Sequence, residues 1–350
     1  MANDLNILEN VPLAPFTTLG VGGSARFLIT AGTEEELNAA IGFGNSNGLP
    51  IFILGGGSNL LVSDNGFPGL VIKIGITGIA FEDREDGTVR VTAAAGEDWD
   101  PFVETVIGRG LSGLECLSGI PGLVGATPIQ NVGAYGQEVS RSIAEVRCLD
   151  RETGERLALT NAECGFAYRS SIFNTTQRGR FVVLAVSYDL RPGGVPHLEY
   201  RDLADRFDGR VPTLAETRAA VLEIRRQKSM VIDPRDPNSR SAGSFFKNPI
   251  VEQRAADLLS EALGESVPSF QAAGGMAKIP AAWLIEKAGF SKGYTLGNAG
   301  LSANHSLAII NRGDARADDI IALKELIRSA VFEKFGIELV PEPVFLGFPD

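Results

Sequence analysis

Little in this chain suits a metal centre or a disulfide framework. Its 350 residues hold three cysteines, Cys116, Cys148 and Cys164. None forms a Cys-x-x-Cys pair, and an odd number does not make a set of bridges. The only histidines are His197 and His305, so a structural zinc site is not expected. Basic residues are also scarce: 32 Lys and Arg stand against 43 Asp and Glu, for a net charge of −11. That balance, with two Trp and no interleaving of aromatic with basic residues, argues against nucleic-acid binding. A local basic pocket for an anionic small ligand remains compatible with it. No apolar run approaches a membrane span. The stretch Met1-Ala-Asn-Asp-Leu-Asn6 lacks the basic and apolar regions of a leader. The expectation is a cytoplasmic protein in a reducing compartment, without a membrane partner.

Glycine, by contrast, is concentrated. Ser118 to Tyr135 reads Ser-Gly-Ile-Pro-Gly-Leu-Val-Gly-Ala-Thr-Pro-Ile-Gln-Asn-Val-Gly-Ala-Tyr, with Gly136 next and no charged side chain. Glycine allows close backbone approach, Pro121 and Pro128 stiffen the path, and Gln130 and Asn131 present both donors and acceptors. Such a stretch suits the wall of a site for a large planar cofactor, or a tight loop in an ordinary domain. A second glycine-rich turn, Gly55-Gly56-Gly57-Ser58-Asn59, follows the apolar run 50–54. Successive N–H groups there can cradle a pyrophosphate, but no P-loop lysine follows, which disfavours nucleotide hydrolysis. Gly20-Val-Gly22-Gly-Ser-Ala25 imitates a dinucleotide fingerprint, yet no buried strand precedes it and 24–30 reads as strand.

Strands and helices alternate through the first half, giving an α/β or α+β class. Capping boxes at Thr33/Glu36 and Thr213/Glu216 predict helices over about 34–45 and from 214 to about 228. Further helices are predicted over 101–108, 280–288 and 318–335, the last stopped by Gly336. Asp98 and Asp100 fall at the positive end of the 101–108 helix, and Arg225, Arg226 and Lys228 at the negative end of the second capped helix. A boundary is expected near Arg191–Pro196.

Three short stretches carry reactive candidates. Tyr168-Arg169-Ser170-Ser171 places a permanently charged planar cation among small polar residues. It suits gripping a carboxylate, or it is a surface cation. Gly243-Ser244-Phe245-Phe246-Lys247-Asn248-Pro249 presents a hydroxyl beside two aromatics. No nucleophile elbow is present, so Ser244 reads as a proton donor, and only to a strongly basic, carbanion-like centre. Pro341-Glu342-Pro343 aims one carboxylate from a stiff extended segment, or leaves it in solvent.

In this order, together with Thr17–Gly23 and 55–60, these motifs resemble the UDP-N-acetylenolpyruvoylglucosamine reductase (MurB) family over nearly the whole chain. The early half is also similar to vanillyl-alcohol-oxidase flavoproteins. The resemblance implies an α+β protein. An FAD-binding fold of the vanillyl-alcohol-oxidase (PCMH) type occupies two α/β subdomains, 1–78 joined by 338–350 and then 79–210. A C-terminal α+β substrate-binding domain occupies 211–337. It implies non-covalent FAD held by Gly55, Gly56, Gly57, Ser58, Asn59 and Leu60 at the pyrophosphate. Ser118, Gly119, Ile120, Pro121, Gly122, Gly125, Ala126, Pro128, Gln130, Asn131 and Gly133 would run along the cofactor.

The implied reaction is NADPH-dependent reduction of UDP-N-acetylglucosamine enolpyruvate to UDP-N-acetylmuramate, in peptidoglycan synthesis. Arg169 and Glu342 would polarise the substrate carboxylate and Ser244 would protonate the resulting carbanion. Glu342 can assist an anion only if it holds or shares a proton. Lys228 would meet the diphosphate, Asn248 and Tyr200 the nucleotide. His305 matches a position near substrate, with a purely structural role left open. Leu198-Glu-Tyr200-Arg-Asp-Leu203 looks like the additional tyrosine loop of one family type, and a monomer is expected. The segment between Lys228 and Ser244 is longer than in well-known members, which leaves 233–240 unplaced. The competing readings are a flavin oxidase of the same cofactor fold, against which Gly243–Pro249 speaks, and a non-catalytic sugar-nucleotide sensor, against which Arg169, Ser244 and Glu342 speak.

Overall fold

The computed structural model describes residues 5–349; residues 1–4, where the leaderless start was expected, and residue 350 lie outside the described residues. The chain divides into two compact units. The first comprises Met1–Val11, Ala25–Gly57 and Pro68–Gln227, and the second Pro12–Ser24, Ser58–Phe67 and Lys228–Asp350. The division after Gln227 falls at a helix end, downstream of the glycine-proline stretch at Arg191–Pro196.

The first unit holds two larger sheets and a small two-stranded one, Gly133–Ala134 with Gln137–Glu138. A four-stranded sheet runs in the order Leu8–Pro12, Ser24–Ala31, Phe67–Ile74, Ile51–Leu54, with the last two strands parallel. Helix α1 (Glu34–Ser46) opens where Thr33 accepts from the Glu36 N–H. The Glu36 carboxylate reaches the Gly32 N–H instead of closing the expected box on Thr33. The second sheet is antiparallel and centred on the long strand Phe181–Pro192, flanked by Ile143–Asp150 and Val89–Ala94. Its Val- and Leu-rich strands are buried with Trp99, Phe102 and Val106 of α2 (Trp99–Gly108). Alternation of apolar side chains on a strand puts one face into such a core. A short α3 (Arg201–Ala204) precedes α4 (Leu214–Gln227). Thr213 and Glu216 cap α4 in both directions, each side chain accepting from the other's N–H.

The second unit packs α5 (Gln253–Leu263), α6 (Ala281–Lys287) and α7 (Ala317–Phe335) with three small sheets. Ile320, Leu323, Ile327 and Val331 are fully buried along α7, as helical spacing requires, and Gly336 ends it at φ 65°. Lys334, in the last turn, is exposed and donates to the Lys287 carbonyl. Strand Val344–Leu346 pairs in parallel with Leu60–Val62, so the unit is assembled from chain segments far apart in sequence. Gly22 needs its glycine for contact and not for a cofactor: at φ 112°, a Cβ there would sit 2.5 Å from Val62 Cβ. Among the described residues no helix is long and apolar enough to cross a membrane, and no His, Cys, Asp and Glu group could hold a metal ion.

Candidate functional site

In the first unit the long glycine-rich stretch is stitched by its backbone to the segment entering α2. Trp99 donates its N–H to Gly122 O (3.0 Å), Val124 to Glu97 O (2.9 Å) and Gly125 to Ala95 O (3.0 Å). The buried Trp99 indole adds a bond to Leu117 O at 2.9 Å. A Cβ on Gly125 would lie 2.5 Å from Ala95 Cβ, which accounts for that glycine. Gly56 and Gly122 bring the two glycine-rich loops together: a Cβ on Gly56 would stand 2.7 Å from Gly122 Cα. Gly55 is beside Ala126. Ser118 is fully buried, with its hydroxyl on Glu115 O.

Gly119, at φ 73°, is held from behind. Its N–H donates to Asp100 Oδ1 at 2.6 Å. The Arg218 guanidinium of α4 grips the same carboxylate with two bonds, of 2.5 and 2.9 Å. Burial alone would push the Asp100 carboxyl up, but the Arg218 and Gly119 hydrogen bonds outweigh it and hold the group below the ordinary value. Arg225 is packed against Gly119 as well, its Cδ and Nε 3.3 Å from where a Cβ would be. Arg225 lies in the last turn of α4, where a cation was expected, and the structure buries it to 6% exposure, where Tyr135 hydrogen-bonds it. Burial lowers its pKa, opposed by Tyr135 and Asp100. Asp100, Arg218 and Arg225 were not read as neighbours of Gly119; in sequence Asp100 and Arg225 carry only helix-end signals and Arg218 carries none.

Downstream, Asn131 is buried and its amide is fully engaged. It donates to Glu138 (2.8 Å) and Ala167 O (3.0 Å) and accepts from the Ser140 N–H (3.1 Å). It thereby ties the glycine-rich stretch to the Ala167–Ser170 turn, which presents Arg169. Arg169 has φ 51°, a left-handed conformation that is uncommon for a side chain of this size. Its Nη2 donates to Gly133 O at 2.7 Å, and its guanidinium carbon lies 5.5 Å from the Tyr168 ring centre. Tyr200, at the start of α3, stacks edge-on against Tyr135 with ring centres 5.3 Å apart. Leu203, Phe207, Val221, Ile224 and Cys116 surround the pair. Burial raises both phenol pKa values.

In the second unit Ser244 sits where three segments meet. The Phe245 N–H donates to Leu307 O at 2.8 Å, and Phe245 O accepts from the Glu342 N–H at 2.9 Å. The neighbouring residues Phe246 and Pro341 form a bridge. The Ser244 hydroxyl lies 3.3 Å from His305 Nε2. Glu342 is fastened on its other side by Asn59, whose amide donates to Glu342 O at 3.3 Å and whose carbonyl accepts from the Val344 N–H. Ser58, Asn59 and Leu60 therefore belong with Ser244, His305 and Glu342, while Gly55–Gly57 belong to the first unit. Asn248 Oδ1 accepts from the Ala281 N–H at the start of α6, and Lys228 opens the second unit beside Ser229, which has φ 53°. Phe245 and Phe246 are fully buried, while Ser244 beside them is partly exposed.

The chain matches two family models: an FAD binding domain over residues 25–160, and the C-terminal domain of UDP-N-acetylenolpyruvoylglucosamine reductase over residues 235–346. A reductase of that name from Thermobifida fusca is 47% identical over 97% of this chain and 98% of the relative. One from Streptomyces coelicolor is 47% identical over 97% and 90%. The crystal structure of the Thermus caldophilus reductase covers 98% of each chain at 27% identity, with a TM-score of 0.66. The fold is accordingly an FAD-binding domain followed by the C-terminal domain of these reductases, as the resemblance implied.

Proposed function

Because the chain belongs to the UDP-N-acetylenolpyruvoylglucosamine reductase family, flavoenzyme oxidoreductases of peptidoglycan precursor synthesis, we propose that it reduces UDP-N-acetylglucosamine enolpyruvate to UDP-N-acetylmuramate with NADPH as electron source. The residues present suit FAD. Gly56 and Gly122 meet with no room for a Cβ on Gly56, so the two glycine-rich runs of backbone lie side by side without side chains between them. Gly55–Leu60 would take the pyrophosphate, and Ser118–Gly133 would run along the rest. Bound FAD supplies the hydride for the vinyl carbon of the substrate.

The protein's own residues handle charge and proton. Once the vinyl carbon gains a hydride, its neighbour becomes a carbanion conjugated to the carboxylate. In the first unit, Arg169 is assigned to that carboxylate; it is a fixed charge on a constrained backbone, as electrostatic preorganisation requires. In the second unit, Glu342 assists the same group and Ser244 gives its hydroxyl proton to the carbanion. Lys228 meets the diphosphate, and Tyr200 and Asn248 the nucleotide. We assign the segment around Tyr200 to the family type with the additional tyrosine loop. We assign 211–337 to substrate binding, 1–78 with 338–350 and 79–210 to the cofactor. The enzyme is read as a cytoplasmic monomer with non-covalent FAD.

The observation that carries this reading is the grouping of Ser244 with His305 and Glu342 on adjoining segments. The test is anaerobic stopped-flow absorbance at the flavin band. One equivalent of NADPH should bleach the protein, and the enolpyruvyl sugar nucleotide should restore the colour without oxygen. Ser244→Ala should keep the first step and lose the second by at least about a hundredfold, the usual scale for removing a positioned proton donor. Equal slowing of both steps would remove Ser244 from the proton-donor role.

A further inference from the structure

We propose that His305 is the proton source behind Ser244: as an imidazolium it hands a proton from Nε2 to Ser244 Oγ while Oγ–H passes its own to the substrate carbanion. This rests on the reading of Ser244 as proton donor and extends it to a residue otherwise assigned to substrate contact. The geometry that carries it is the 3.3 Å approach of His305 Nε2 to Ser244 Oγ.

Chemistry makes the second group necessary. An alcohol is a very weak acid, so donation from an isolated serine would leave an alkoxide in a half-buried site against two buried phenylalanines, where charge is costly. With His305 behind it, the C–H bond forms as the Oγ–H bond breaks, a new Oγ–H bond forms as the Nε2–H bond breaks, and neutral imidazole is left. No electrons move beyond the hydride already delivered. One proton taken up from the bulk solvent then restores the imidazolium, so the net step consumes one hydride and one solvent proton.

The surroundings hold the histidine for this task. Its loop is closed by bonds from Ser302 N to Ala308 O (2.9 Å) and from Ala308 N to His305 O (3.1 Å). The Phe245–Leu307 backbone bond sets its register against Ser244. The polar segment after α4 braces it: Asn238 Oδ1 accepts from the Ala303 N–H at 2.9 Å, and Asn304 Nδ2 donates to Ser229 Oγ at 2.8 Å. This places the 233–240 segment in a structural role, as a support for the His305 loop.

The test uses the FAD-loaded enzyme with His305→Gln, which keeps a side-chain donor but cannot pass a proton on, and His305→Ala. Bleaching by NADPH should be unchanged in both. Reoxidation by the enolpyruvyl sugar nucleotide should slow by about 10²–10³-fold, with KM for that substrate within about threefold of the wild type. Added imidazole should restore part of the lost rate in His305→Ala, in proportion to its concentration. A raised KM with unchanged kcat would overturn the proposal in favour of substrate contact. Equal slowing of both steps would overturn it in favour of a purely structural residue. If the wild type itself were bleached by NADPH yet not reoxidised by the sugar nucleotide, the assigned reaction would fall, and the relay with it.

Discussion

Replacing Asp100 by Asn removes one negative charge while leaving an oxygen able to accept the Gly119 N–H. The burial of the two ion-pair partners sets the scale of the loss. The Arg218 side chain is 10% exposed and that of Asp100 32%. Breaking a buried ion pair from one side costs about 3–5 kcal/mol, and an exposed pair contributes about 0.2–1 kcal/mol. With one partner buried and the other partly open, about 2 kcal/mol of stability is expected to be lost. The second effect is on Gly119, in the loop proposed to run along FAD. A hydrogen bond to a charged acceptor contributes about 1.5–3 kcal/mol and one to a neutral acceptor about 0.5–1.5 kcal/mol. Loosening Gly119 by that difference, about 1–1.5 kcal/mol, weakens FAD about tenfold. Stability is read from urea unfolding of the deflavinated protein, and affinity from quenching of FAD fluorescence on titration. Arg218→Met is the companion variant. It should lose similar stability but less FAD affinity, because the Asp100 carboxylate remains to hold Gly119. If Asp100→Asn lost stability with FAD affinity unchanged, the pair would be a brace between α2 and α4 with no bearing on the loop, and the reasoning would fail.

Two further outcomes are expected elsewhere in the molecule. Gly56→Ala should purify with little or no yellow colour and bind FAD more than about tenfold more weakly, because the new methyl would meet Gly122 backbone at 2.7 Å and backbone on both sides has no rotamer to change; normal flavin content would refute the close approach. Glu216, which caps α4, has its carboxyl lowered from 4.5 to about 2, first by Arg210 and then by the Thr213 N–H and hydroxyl. A depressed carboxyl stabilises the fold above its unfolded value and loses that contribution as pH falls through the folded one. Glu216→Gln should therefore lower the melting temperature at neutral pH, and the gap should close as pH falls from 4.5 towards 2; a gap independent of pH would count against the cap.

What could be read in the sequence divides by distance along the chain. The starts of α1 and α4 were legible because Thr33/Glu36 and Thr213/Glu216 are local signals, and α7 because its apolar stripe and Gly336 stop are local too. Helix α5 was not read: Glu252 at its start makes no side-chain cap bond, so no start signal marks it. The start of α7 is stabilised by Asp64, which accepts from the Ala317 and Asp318 N–H groups at 2.9 and 3.0 Å, a partner no local pattern identifies. The site obeys the same rule. Ser244, Arg169 and Glu342 stood out by their immediate neighbours. Asp100 carries the same acidic helix-start signal as any first-turn Asp, and only the fold takes it to Gly119 and Arg218. The approach of His305 to Ser244 likewise depends on a backbone bond, Phe245 to Leu307, made across a long excursion of the chain.

The parallel pairing of Val344–Leu346 with Leu60–Val62 has a consequence for the newborn chain. Asn59 and Glu342 are 283 residues apart. At synthesis rates of about 5–20 residues per second, roughly a quarter of a minute to a minute passes between their emergence. Throughout that interval Leu60–Val62, an apolar triplet fully buried in the finished protein, waits without its parallel neighbour. Unpaired strands of this kind are where nascent chains associate wrongly. Slow, non-local closure of this sort also sets folding speed. Asn59 and Leu60, proposed above to face the pyrophosphate, therefore reach their final surroundings only when the end of the chain arrives.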